Sequence, residues 1–215
     1  MGDIFNILVS GVGGQGTVLL SKLLREYGLT SPMIENVVGT ETRGVSQRGG
    51  SVTGTARYLI DKRVYSMDQG YEANELISPT IPMNDAHLVL GLEPLETIRN
   101  LNFISEQTVV VLNTNKRYPR NVILGSEQGK QTYPSNARII NLLDQFARKT
   151  ISMDFNKLSK SQFNDSIYAN IILLGVGAKE FKEIFLKKML RKVIKKNLKN
   201  PEINLEAFEL GYDLV

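Results

Sequence analysis

The chain has 215 residues, 42% hydrophobic, 22% charged and 7% aromatic, which supplies enough apolar material for one well-filled core and too little for three. It holds no Cys and a single His, His87, so disulfides, thiolate metal sites and cysteine-held iron–sulfur clusters are excluded, and a His-based metal site or a Ser-His-Asp triad has little to be built from. The formal charge of +4, from 26 Lys and Arg against 22 Asp and Glu, is weak evidence of any particular anionic partner. Met1 to Phe5 carries no charged leader with an apolar core behind it, and no later stretch runs about twenty residues without charge. A cytoplasmic protein without membrane contact is expected, folded as one domain over residues 1–215.

Ile4 to Ser10 is an apolar run that predicts a buried strand stopping at Gly11. Gly11-Val12-Gly13-Gly14-Gln15-Gly16 follows, then a helix over Thr17 to Tyr27 ended by Gly28. A second strand within Met33 to Val38 would complete the start of a βαβ unit. Gly39 to Gly50 is polar and glycine-rich and predicts a long loop. Ser51 to Ile60 and Lys62 to Ser66 alternate as a hairpin turning at Asp61-Lys62. Ala86 to Glu93 and Thr108 to Asn113 predict buried strands, with a helix from Pro94 to about Leu101 between them. Pro134-Ser135 opens another helix, whose apolar side carries Ile139, Ile140, Leu142, Leu143, Phe146 and Ala147, and Ile151 to Phe155 is the last strand. Helices over Asp165 to Gly177, Glu183 to Leu198 and Pro201 to Gly211 close the chain. The pattern describes an α/β fold: a three-layer, doubly wound, mostly parallel Rossmann-like sheet with an antiparallel hairpin insertion and a helical C-terminus.

Gly11, Gly13 and Gly16 satisfy a dinucleotide fingerprint between strand and helix, where backbone N–H groups meet an anion. The same glycines also serve to pack a helix closely on its strand. A nicotinamide ribose needs an acidic residue at the tip of the second strand, and Glu35, inside the strand run, fits that place poorly. Gly14 and Gln15 add polarity to the turn. A second cluster, Glu41 to Ser51, concentrates Glu41, Arg43, Gln47, Arg48, Gly49 and Gly50 after the second strand. Both loops belong at the carboxyl edge of the sheet and should be neighbours, the arginines offering forked donors to phosphate or carboxylate. No catalytic residue and no metal ligand set is identifiable.

Taken together, Gly11 to Gly16, Gln47-Arg48-Gly49-Gly50-Ser51-Val52, Leu90 to Glu96, Val109 to Asn113, Asn170 to Gly175 and Asn204 to Gly211 resemble the gamma-type subunits of the 2-oxoacid:ferredoxin oxidoreductases, in the family's order and across nearly the whole chain. Gln47 to Val52 and Asn204 to Gly211 favour the beta subunits of the indolepyruvate branch; Glu41-Thr42-Arg43-Gly44 resembles the pyruvate type. The resemblance implies an enzyme subunit, inactive alone, that supports thiamine-dependent oxidative decarboxylation of a 2-oxo acid to acyl-CoA with electrons going to ferredoxin. It implies a large partner subunit carrying thiamine diphosphate, magnesium and iron–sulfur clusters, since this chain lacks both the thiamine motif and Cys. It also associates this domain with coenzyme A handling and with packing against that partner; the expected anion-binding edge comprises Gly11, Gly13, Gly14, Gln15, Gly16 and Gly49 with Arg43 and Arg48, while Glu41 and Gln47 order the loop or contact the partner. A pyruvate- or ketoisovalerate-type gamma subunit and a free-standing dinucleotide-binding protein remain the alternatives.

His87 at the start of a strand is expected to be structural. Glu93 is equally a ligand-edge carboxylate or a helix cap, and Asn113 and Thr114 share that ambiguity. Lys179 to Lys199 carries a local balance of +7 on one side of an amphipathic helix whose other side holds Leu186, Met189, Leu190, Val193 and Ile194. A solvated outer helix is expected there, with no nucleic-acid partner.

Overall fold

The computed structural model describes residues 3–44, 49–60, 78–117 and 133–215. One mixed sheet carries β1 (Asp3–Val12), β2 (Ile34–Val38), β3 (Glu41–Arg43), β4 (Ser51–Ile60), β5 (Leu88–Gly91), β6 (Val109–Asn113) and β7 (Lys149–Met153). The helices are α1 (Thr17–Thr30), α2 (Pro94–Arg99), α3 (Asn136–Leu143), α4 (Phe155–Phe163), α5 (Ala169–Glu180), α6 (Lys187–Asn197) and α7 (Pro201–Tyr212). Among the described residues no helix is long and apolar enough to cross a membrane.

The sheet order is β2-β4-β1-β5-β6-β7, with β3 also paired to β4. β1, β5, β6 and β7 form a parallel run, whereas β4 is antiparallel to β1, β2 and β3. This is the mostly parallel, doubly wound α/β sheet expected, with one correction. β2 does not lie beside β1, because β4 occupies the place between them. Its residues facing α1 make that possible: Tyr58 donates to the Leu24 carbonyl at 2.7 Å, and Gly54 leaves room for Ser21, whose Oγ would stand 1.9 Å from a Cβ there. The insertion's other proposed arm, Lys62 to Ser66, lies outside the described residues.

Further boundaries move for identifiable reasons. Gly11 is inside β1, paired with Val52, and α1 runs past Gly28 to Thr30. Gly28 is a packing glycine, since a Cβ there would lie 2.8 Å from Val37. Glu41–Arg43, expected as loop, continues the line of β2 along the edge of β4 after a break at Gly39 and Thr40. The helix at 136 ends at Leu143, leaving Phe146 exposed. β7 begins at Lys149, and Phe155, expected at its end, opens α4, a helix not expected from the sequence. Asp154 caps it by accepting from Lys157 N–H at 2.9 Å. The later helices start at Ala169 and Lys187 rather than at Asp165 and Glu183.

Two apolar layers hold the sheet. One face packs on α2 and α3 through Leu8, Val89, Val110, Leu112, Ile139 and Leu143. The other packs on α1 and α5, with α6 and α7 outside them. α5 is buried along both sides, and it touches α7 backbone to backbone: a Cβ on Gly211 would lie 1.9 Å from the Ile172 carbonyl oxygen. In α6 the expected stripe is inward, with Leu190, Val193 and Ile194 buried, and Lys187 and Arg191 pair with Glu209 of α7.

Candidate functional site

α1 and the helices α2 and α3 lie on opposite faces of the sheet, so the winding reverses between β1 and β5. An open sheet leaves a crevice beyond the strand ends at such a point. The turn after β1 forms one wall of it. Gly14 and Gly16 adopt left-handed φ of 95° and 92°, conformations that an L side chain resists. Gly16 is the N-cap of α1 and offers no side-chain cap, and the first turn holds no acidic residue. The backbone donors at this helix start therefore face outward with the positive end of the helix dipole.

Gln15 holds the turn in shape. Its Oε1 accepts from Val12 N–H at 2.7 Å and its Nε2 donates to the Leu92 carbonyl at 3.1 Å. The second loop is its neighbour, as expected: Gly13 N–H donates to the Gly50 carbonyl at 3.0 Å. Gly49 has φ of 74°. Glu41 is clamped between Arg25 of α1, at 2.7 Å, and Arg43, at 3.5 Å, so it orders β3 against the helix. Gln47 and Arg48 lie outside the described residues.

A cavity of about 440 Å³ opens at the reversal, lined by Gly14 to Gly16, Leu92, Asn113, Asn115, Arg117, Asn156, Ser166, Ile167, Ala169 and Asn170. Among the described residues no carboxylate or imidazole belongs to this lining. Asn113 is a structural knot: its Oδ1 accepts from Phe155 N–H at 3.1 Å, and its Nδ2 donates to Asn156 Oδ1 at 2.7 Å. Asn170, 6% exposed, donates through Nδ2 to the Gln15 carbonyl at 3.4 Å, while its Oδ1 is buried without a partner.

Glu93 is fully buried and acts as a cap. Its Oε2 accepts from Glu96 N–H at 2.8 Å, and its Oε1 accepts from Arg117 N–H at 3.3 Å and from the Tyr133 hydroxyl. Burial pushes its carboxyl above the ordinary range, against the lowering effect of these donors, and burial with the Glu93 bond pushes the Tyr133 phenol up as well. Glu93 does not line the cavity.

Two residues fall at the opposite edge. Glu35 follows Ile34, which pairs with Ile60 opposite Asp3 at the start of β1, so no ribose at the glycine turn can reach it. His87 precedes β5, and its Nδ1 accepts from Asn6 N–H at 3.1 Å. Arg117, Asn115, Asn156 and the role of Asn170 are not apparent from the sequence. For Arg117 a signal existed, because it follows the carboxyl end of a strand, where ligand loops gather.

Comparison with known proteins agrees with this architecture. The family described as pyruvate ferredoxin/flavodoxin oxidoreductase matches residues 6–214. Indolepyruvate oxidoreductase subunit IorB of Methanothermobacter thermautotrophicus is 30% identical over 210 residues, covering 97% of this chain and 96% of that protein. The subunit of the same name from Archaeoglobus fulgidus is 28% identical, covering 97% and 94%. Among solved structures, pyruvate oxidoreductase subunit PORC of Thermotoga maritima superposes with a TM-score of 0.62 at 16% identity, over 98% of this chain and 96% of that one. The 2-oxoglutarate:ferredoxin oxidoreductase of Magnetococcus marinus, solved with 2-oxoglutarate, coenzyme A and succinyl-CoA, gives 0.67 at 14% identity over 99% of this chain and 31% of that one. These two likenesses establish the fold.

Proposed function

The chain belongs to the pyruvate ferredoxin/flavodoxin oxidoreductase family, and from that premise we propose that it serves the indolepyruvate branch as the small subunit of a 2-oxoacid:ferredoxin oxidoreductase. The observation that carries this reading is the match to the IorB subunits over nearly the full length of both chains. The complex couples loss of carbon dioxide from an aryl 2-oxo acid to acyl-CoA formation, with the electrons passing to ferredoxin. Thiamine diphosphate, magnesium and the clusters belong to the large partner, because a chain without Cys has no thiolate for a cluster.

The part of this chain is to present its carboxyl edge to that partner. Gly11 to Gly16 and Gly49 form the anion-receiving surface, Gln15 keeps the turn in shape, and Glu41 with Arg43 orders the adjoining strand. Gln47 and Arg48, which precede Gly49 in the sequence, are proposed as further contributors to this function. Coenzyme A suits the cavity beside it: the glycine turn admits a phosphate close to the α1 start. The carboxylate that a dinucleotide ribose requires stands at the wrong edge, which disfavours a free-standing dehydrogenase.

The test is co-expression with the thiamine- and cluster-bearing large chain of the same source. Co-purification and CoA-dependent ferredoxin reduction with indolepyruvate, needing both chains, are expected. Failure of the chains to associate, or activity of the large chain alone, would remove the proposal; preference for pyruvate or ketoisovalerate would move it to the alternative branch.

A further inference from the structure

The sheet ends on β7, and the outer side of that strand is open. Lys149 N–H donates to the Thr108 carbonyl at 3.4 Å and Thr114 N–H donates to the Met153 carbonyl at 2.9 Å, so Lys149, Ile151 and Met153 turn their main-chain groups toward β6. Thr150 and Ser152 turn theirs outward, where they have no main-chain partner among the described residues. An open edge is a template for another strand, and proteins blunt it with proline, bulges or charge. The opposite edge is blunted: β2 shifts register between Ile34 and Asn36 and breaks before β3. β7 holds no proline and no shift, and its Lys149 is drawn aside to Glu180 of α5 at 2.8 Å.

α3 flanks this edge. Its Ile139 and Leu143 enter the sheet layer, and Ile140 joins Ile98 of α2 against the same cluster. The other flank of α3 carries Arg138, Asn141, Leu142 and Gln145 around a groove of about 430 Å³, and Phe146, 44% exposed, follows the helix. α2 sits over β1 and β5 and α3 beside β7, so the groove faces the open edge.

We propose that β7 and α3 pair with a second copy of this chain across a two-fold axis at Ile151, joining two sheets into one. Antiparallel strands centred there set Thr150 opposite the partner's Ser152, and each such pair exchanges both outward N–H···O bonds. The register is self-complementary in charge as well. Arg148, exposed and in no ion pair among the described residues, meets the partner's Asp154, and Lys149 meets the partner's Met153 rather than a second Lys149. A register centred on Thr150 or on Ser152 separates Arg148 from Asp154. This charge match, made twice across the axis, favours a second copy over a foreign strand. Antiparallel pairing turns the two carboxyl edges in opposite directions, so each stays open to its own large chain. The pairing goes beyond the subunit reading and does not depend on it.

The absence of Cys supplies a direct test. In Ile151→Cys the two new thiols meet at a non-hydrogen-bonded pair, where Cα atoms stand about 4.5 Å apart, within disulfide reach. Oxidation with copper–phenanthroline is expected to give a covalent dimer, whereas Leu29→Cys, on α1 and 71% exposed, stays monomeric under the same treatment. In sedimentation velocity the full chain should dimerise. Ser152→Pro, which removes an outward N–H that the β6 ladder does not use, and Arg148→Glu should each weaken the dimer about tenfold or more, with the circular dichroism of wild type retained. Co-purified with the large chain, the Ile151→Cys variant should yield two bridged small chains per particle. A chain that stays monomeric, a natively folded Ser152→Pro variant with unchanged dimer affinity, or Ile151→Cys bridging no faster than Leu29→Cys overturns the pairing. The first two measurements need this chain alone, so their outcome is separate from the fate of the subunit reading.

Discussion

The side-chain amide of Gln15 donates to the main-chain carbonyl of Leu92 at 3.1 Å, tying the turn after β1 to the end of β5 across the reversal of the sheet. The same amide accepts from Val12 N–H, so one side chain closes the glycine turn on itself and against its neighbour. Gln15→Ala removes both bonds and should cost about 1–2 kcal/mol. Gln15→Glu turns a carboxylate oxygen toward the Leu92 carbonyl and should be destabilised at least as much. Urea unfolding midpoints of the two variants test this; a Glu variant as stable as wild type would contradict the bridge.

The glycines of the turn should not be equivalent. Gly16 combines φ of 92° with an approach of 2.0 Å between a built Cβ and Asn170 Nδ2. Gly16→Ala should therefore lose about 2 kcal/mol or more. Gly13 has ordinary φ, and its nearest neighbour would stand 3.8 Å away. Gly13→Ala should stay within about 0.5 kcal/mol of wild type. Thermal unfolding gives the order directly.

Glu93 should make stability depend on pH with a definite sign. Burial raises its pKa above 4.5 in the folded chain, so the native state binds this proton more tightly than the unfolded chain does. The stability so gained is fully present below the unfolded pKa and is lost as pH rises through the folded one. Glu93→Gln lacks this titration. Wild type should lose ground relative to the Gln variant across that window in matched urea unfolding series; parallel profiles would exclude it.

The single His permits an unambiguous measurement. Burial lowers the His87 pKa below 6.5, with Asp85 acting in the raising direction and Arg148 in the lowering one. Protonation at Nδ1 also forfeits the bond from Asn6 N–H. The imidazole resonances should titrate with a midpoint below 6.5, and the Asn6 amide should shift with them. Because the unfolded chain takes up this proton first, stability should be lost as pH falls from the ordinary value through the lowered one.

Much of the framework was legible in local pattern. The apolar runs at Ile7, Val89 and Val110 announce strands buried on both faces, and Gly14 and Gly16 announce a left-handed turn before a helix. α4 was not legible, because Asn156-Lys157, Ser159-Lys160-Ser161-Gln162 give it little apolar period, and its only local mark is the Asp154 cap. Glu93 was legible only as a pair of possibilities, which its bond to Glu96 N–H resolves as a cap.

By itself the sequence determined the α/β class, the glycine turn at a strand's carboxyl end and the meeting of two glycine-rich loops. Those follow from periodicity and turn chemistry, which are properties of short stretches. Tertiary structure alone decided that β4 separates β2 from β1, that Glu35 faces the wrong edge, and that Arg117 and Asn170 share a cavity with Gly14 to Gly16. The reason is separation along the chain. Asn170 reaches the carbonyl of Gln15 across 155 positions, and only the packing of α5 against the sheet brings the two together.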